Sequence, residues 1–192
     1  MKPTLIDDPQ QIALLASPLR QELVDTLAAL GGQASVATLA EQLGRPADGL
    51  YYHLQLLAEG GLVQEVVGAA GERRFSLVGG PGPRRLGYSM ETQAARDALR
   101  VYAKGLLQVA GQDFQAALNS DVVVSGERRT LWAARNKGWL SAGELVEVNA
   151  LLERLCELTS QPRGEEREHL VSLAFVLAPT TPKGKRRSKR SV

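Results

Sequence analysis

The chain has 192 residues, 44% of them hydrophobic, enough for one generous domain or two small ones with separate cores. Its single cysteine, Cys156, excludes an internal disulfide and a multi-cysteine zinc site, so neither a metal nor another cofactor is expected. The formal charge of +2 conceals an asymmetry: setting aside six cations near the C-terminus leaves 17 basic residues against 21 acidic ones.

In chain order, residues 12–16 form a short apolar turn. Ser17-Pro18 then reads as an N-cap followed by proline at the first helical position. Leu19, Leu23, Leu27 and Leu30 give that helix its core face, and Gly31-Gly32 ends it. Ser35 caps the next helix, whose stripe is Val36, Leu39, Ala40 and Leu43, with Gly44 as its stop. The stretch PADGLYYHLQLLAEGGLV, residues 46–63, follows. Leu50, Leu54 and Leu57 lie at i, i+4 and i+7, Pro46 is preset for a first turn, and Gly60-Gly61 closes the helix. Its remaining positions, Ala47, Asp48, Tyr51, Tyr52 and Gln55, include hydrogen-bonding tips on planar bodies where a solvated helix more often has Lys and Glu. His53, beside the leucine stripe, reads as hydrogen-bonded packing.

LVQEVV and RRFSLV are two strand-like runs around a glycine-rich tip, the pattern of a β-hairpin. GGPGP, residues 79–83, continues neither strand nor helix and marks a boundary. From residue 89 to 118 apolar residues keep helical spacing for roughly 45 Å at 1.5 Å per residue, long enough to call for a partner. RRTLWAARNKGWL alternates or runs apolar around an Asn-Lys-Gly turn. Ser141 to Glu144 spells a capping box opening a helix through Leu158, and HLVSLAFVLA reads as a final buried strand. That strand's apolar run is too short to span a bilayer, and Asp7 and Asp8 interrupt any signal-peptide core. A cytoplasmic location with no membrane association is therefore expected. KGKRRSKR, residues 183–190, holds six cations and no acid and is expected to be disordered.

Together, SPLRQELVDTLAALGG, SVATLAEQLG, GLYYHLQLLAEGGLV and the ending GERRFSL, across roughly residues 9–78, resemble the ArsR-like winged helix-turn-helix transcriptional regulators. The implied fold class is α+β. By this resemblance residues 1–78 would be a winged helix-turn-helix DNA-binding domain, 79–88 a linker, 89–179 a small α+β domain for dimerisation and a possible effector, and 180–192 the basic tail. Residues 46–59 would be the recognition helix and 62–78 the wing. Ala47, Asp48, Tyr51, Tyr52 and Gln55 would face double-stranded DNA, joined from the wing by Arg73 and Arg74, at least one of them against phosphate or in the minor groove. Asp48 suits the helix dipole but repels phosphates, so it either sits away from the backbone or accepts from a cytosine amine.

The family's metal ligands have no counterpart here: the helix at 35–43 has no cysteine and the long helix no histidine. Tyr102, Trp132, Trp139 and Phe175 are read as core residues first and as the lining of a pocket for a small organic effector second. The expected function is a homodimeric regulator, by resemblance a repressor. The alternative is a winged-helix module that binds protein or RNA without specific duplex binding. No catalytic residues are expected: Walker loop, nucleophile elbow and zincin motif are all missing.

Overall fold

The computed structural model describes residues 3–68 and 71–180. The architecture is α+β, in the order β1 (Thr4–Ile6), α1 (Pro9–Leu15), α2 (Pro18–Ala29), β2 (Gln33–Ser35), α3 (Val36–Leu43), α4 (Asp48–Glu59), β3 (Val63–Val67), β4 (Arg73–Leu77), β5 (Arg84–Leu86), α5 (Gln93–Ala117) and α6 (Ala142–Thr159).

Local chemistry sets most helix ends. The Asp8 carboxylate accepts from the Gln10 N–H at 2.9 Å and starts α1. Ser17 stands extended before Pro18, but its side chain makes no cap hydrogen bond, so proline alone supplies the local start signal of α2. Ser35 Oγ accepts from the Thr38 N–H at 3.1 Å, and Gly44, at φ +60°, ends α3 in the left-handed region. α4 proper begins at Asp48 rather than Pro46. Residues 46 and 47 make a tighter preceding turn, in which the Gly49 and Leu50 amides donate to the Pro46 and Ala47 carbonyls.

One core joins α1 to α4 and the hairpin. Leu23, Leu27, Leu39, Leu50, Leu54, Leu57 and Val63 are fully enclosed, with Ile6, Ile12, Leu15, Phe75 and Leu77 around them. Burying each such side chain contributes about 1.5–3 kcal/mol before conformational entropy is set against it. The hairpin β3–β4 pairs antiparallel in the register Val63↔Leu77 and Val67↔Arg73. A third strand, β2, adds to β4 through Ala34↔Phe75, giving the order β2-β4-β3. Strand β2 was not expected: three residues are too few to display alternation.

The stretch read as a linker, residues 79–88, also contains a strand. Gly79 and Gly80 turn the chain at φ near +80°, and β5 then pairs in parallel with β1, Thr4 opposite Arg84 and Ile6 opposite Leu86. Pro81 approaches Gly32 so closely that a Cβ there would lie 3.1 Å from the proline ring.

Helix α5 starts at Gln93, after Thr92 caps it through the Ala95 N–H at 3.1 Å. It packs on α1 and α2 of its own chain, with Val109 buried and Ala98 and Tyr102 against the core. Part of the apolar stripe expected to await a second copy is thus covered within the protomer, while Val101, Leu107 and Leu118 remain exposed. Helix α6 opens on the expected capping box, Ser141 and Glu144 bonding each other's backbone amides at 3.2 and 2.7 Å. The final strand expected at 169–178 does not form within the protomer. These residues have neither helix nor strand pairing, and Leu170 is 80% exposed. A strand is completed by a neighbour's backbone, and none of the described strands pairs with this segment. The basic run of the tail lies outside the described residues.

Candidate nucleic-acid interface

Because α4 turns Leu50, Leu54 and Leu57 inward, its opposite side is decided by the 3.6-residue period. Asp48, Tyr51, Tyr52 and Gln55 are all exposed along that side, Tyr52 to 65%. Ala47 departs from the expectation: half-buried, it packs its methyl against the core. His53 is also half-buried, with its ring edge-on to Tyr52 at 5.3 Å. Among the described residues its Nδ1 has no hydrogen-bond partner, contrary to the bonded packing expected. Burial, then the Arg20 and Arg45 charges, hold its pKa below the ordinary histidine value.

The hairpin brings Arg73 to the same side. In this register Glu65, Val67, Arg73 and Phe75 share one face of the β3–β4 ladder. Phe75 is buried at its inner end and Arg73 exposed at its outer end. The Arg73 guanidinium donates twice to Glu65, at 2.6 and 2.8 Å, and stands 5.4 Å from the centre of the Tyr51 ring. Tyr51, Arg73 and Glu65 therefore tie the hairpin to α4. The hydrogen bond from Arg73 holds the Glu65 carboxyl below its ordinary range, and Glu65 in turn raises the Arg73 pKa.

Arg74 lies on the other face of the hairpin, with Glu72 2.6 Å from its guanidinium. Gln55 donates to Glu59 at 3.0 Å. Arg73, Arg74 and Gln55 thus each already have an acidic partner; only the Arg73–Glu65 pair, which sequence reasoning missed, depends on hairpin register, whereas Glu72 and Glu59 are local neighbours in sequence. Arg45 was missed as well. It sits exposed in the turn between α3 and α4, with Glu22 at 3.9 Å, a separation loose enough to leave the guanidinium available.

The four aromatics considered for an effector are placed differently. Tyr102 lies against the core, and burial pushes its hydroxyl up to about 12. Trp132 is 61% exposed with the Arg129 guanidinium over its ring, Trp139 is 88% exposed and Phe175 39%. None of them lines either the small cavity beside Thr4 and Arg84 or the open apolar groove of Pro9, Ala13, Ala94, Ala98 and Val101.

Helix α3, the glycine turn, exposed α4 and the hairpin behind it form the arrangement with which small domains present one helix to duplex DNA. Comparison with protein families agrees. The helix-turn-helix domain family matches residues 15–66, which run from the end of α1 through α4 into β3. Residues 15–66 are thus similar to a helix-turn-helix domain, in keeping with the order of α3, turn and α4. No curated protein matches the chain. Among the described residues, no helix is long and apolar enough to cross a membrane, and no group of three or more His, Cys, Asp or Glu is placed to hold a metal ion.

Proposed function

We propose that the chain is a sequence-specific regulator of transcription of the ArsR-like winged helix-turn-helix kind, a homodimer that binds double-stranded DNA and represses. In this reading α4 enters the major groove and the β3–β4 hairpin is the wing. No reaction is catalysed, and the protein works in the cytoplasm. The observation that carries the reading is the continuity of one exposed face from Asp48, Tyr51, Tyr52 and Gln55 on α4 to Arg73 on the hairpin, joined where the guanidinium meets the Tyr51 ring. Tyr51 and Gln55 reach base edges, while Arg73 and Arg45 approach phosphates. Binding exchanges the Glu65 partner of Arg73 for phosphate, an exchange made easy by the exposure of that pair. No set of residues is assigned to a small organic effector.

The test is duplex binding by anisotropy over a randomised pool at several salt concentrations. Tyr51→Ala and Gln55→Ala should each relax preference at one or two positions, by about 1–3 kcal/mol of discrimination. Arg73→Ala should weaken all duplexes alike and lower the salt slope. Folded variants that bind like the parent would remove the face from consideration. A second reading, a module for a protein or RNA partner, draws support from the acids already paired with both hairpin arginines. It predicts no salt-sensitive duplex binding at all.

A further inference from the structure

The C-terminal third of the described chain carries more apolar surface than it buries. Helix α6 has eighteen residues and not one is buried. Leu151, Leu155 and Leu158 stand outward at i, i+4 and i+7, exposed to 58%, 39% and 55%, while Val148, Leu152 and Cys156 lie on the adjoining flank and are half-covered. After α6, residues 170–178 read LVSLAFVLA, nine residues without a charge, a glycine or a proline. This run is rich in strand-forming side chains, yet among the described residues its backbone makes no hydrogen bond to another backbone group. The arm is nonetheless held to its own chain at spaced points. Glu153 pairs with Arg85 at 3.1 Å, the Arg163 amide donates to the Ala29 carbonyl at 3.2 Å, and the Ser172 hydroxyl bonds Asp113.

We infer that residues 169–178 of two copies of this chain pair as antiparallel strands about a two-fold axis, with the Leu151, Leu155 and Leu158 stripe of each α6 covering the joint. The inference deepens the dimer of the proposed function by giving it a seam other than α5. A two-fold axis places the segment against itself in reverse, and a run with no charge meets no like charge across the ladder. Pairing would satisfy those amides and carbonyls that face the partner strand, and a helix laid on the new two-stranded sheet would bury its outer stripe. The occupant is a second copy because the need is permanent. The α6 stripe and the uncharged run 170–178 stand exposed whenever the chain is folded, and another copy is made with it in equal amount. The area suffices: Leu151, Leu155 and Leu158 of α6 and every large apolar side chain of 170–178 are each at least 39% exposed. Together they bring the apolar area towards the roughly 800 Å² per partner of a stable interface.

The test uses the full chain without DNA, so that its outcome does not depend on duplex binding. Light scattering should give twice the 20.7 kDa chain mass at micromolar concentration, with amide protons of 169–178 protected in the dimer and released on dilution. Val176→Pro, which removes one strand donor at an exposed position, should raise the dimer dissociation constant at least tenfold. Leu151→Asp with Leu155→Asp should do the same from the helix side, while the melting of the helix-turn-helix core is retained. A monomeric parent at micromolar concentration would overturn the inference. So would a dimer in which 169–178 exchanges freely and both variants dimerise like the parent, since the seam would then lie elsewhere. Dimerisation as expected with no affinity for any duplex would leave the seam standing and defeat the DNA reading instead.

Discussion

At Gly105 the backbones of α5 and the end of α1 come close enough that an added Cβ would collide with the Ala16 carbonyl. Glycine inside a helix costs about 0.5–1 kcal/mol relative to alanine, so ordinarily Gly→Ala in α5 would stabilise. At Gly105 the collision with a backbone atom outweighs that gain, because forcing packed elements apart costs about 1–3 kcal/mol. Gly111 lies in the same helix with nothing within 4 Å of its missing Cβ and isolates the propensity effect. Gly105→Ala should lower the denaturation midpoint and Gly111→Ala should raise it; equal shifts in urea titrations would refute the close contact. Asp25 supplies a second case. Its side chain is exposed at the surface, yet crowding by the surrounding protein limits the hydration of the carboxyl and pushes it up to about 6, the charge of Arg84 opposing this and those of Asp113 and Glu22 adding to it. The native state therefore holds this proton where the unfolded chain, at the ordinary 3.8, has lost it. Its contribution to stability declines as pH rises from about 4 to about 6 and is constant above. Asp25→Asn should melt higher than the parent at pH 7.5 and show less of this decline. A lower melting temperature at pH 7.5 with an unchanged slope would show that attraction to Arg84 outweighs the dehydration.

Among the elements, α3 is the most locally specified, held between the Ser35 cap and the left-handed Gly44. Its eight residues are too few to be helical alone, so its cap and the enclosed Leu39 have to act together. Ser35→Ala should cost about 0.5–2 kcal/mol in equilibrium unfolding. Because α3 sets the turn into α4, duplex affinity should fall with it under the proposed function. An unchanged unfolding free energy would mean that the hydroxyl bond at 3.1 Å contributes nothing beyond what water supplies. Helix α5 shows the opposite dependence. Its stripe is plain in the sequence, but that a large part of it meets α1 and α2 of the same chain is a matter of where the β1–β5 pair brings the chain back.

On the scale of the whole molecule the charges are divided. Residues 1–78 hold five basic residues against nine acidic ones, whereas duplex affinity usually draws on phosphate neutralisation. The six cations between Lys183 and Arg190 are the obvious counterweight. They are able to attract a duplex without reading it. Under the proposed function each phosphate neutralised contributes about 0.9 to the slope of log affinity against log salt, so ending the chain after Pro182 should flatten that slope by several units per dimer if most of these cations engage. Sequence preference should survive. An unchanged slope would make the tail a bystander, and loss of all preference would mean that it also positions the protein.

Caps and stripes were readable from the sequence alone because their physics is local. Ser35 with Gly44, Ser141 with Glu144, and Leu50, Leu54 and Leu57 each act over one or two helical turns, and each stands in the structure as its spacing implies. The exposed side of α4 followed from the same period. What only the tertiary structure decided is non-local. The three-residue strands β1, β2 and β5 are too short to carry a periodic signal, and they exist because distant segments supply their partners. The Glu65, Arg73 and Tyr51 cluster depends on hairpin register and on the angle between hairpin and helix, neither of which is written in any short window. Residues 169–178 mark the converse limit. Their pattern is that of a strand, but a strand is completed by a neighbour's backbone, and a single protomer does not provide one.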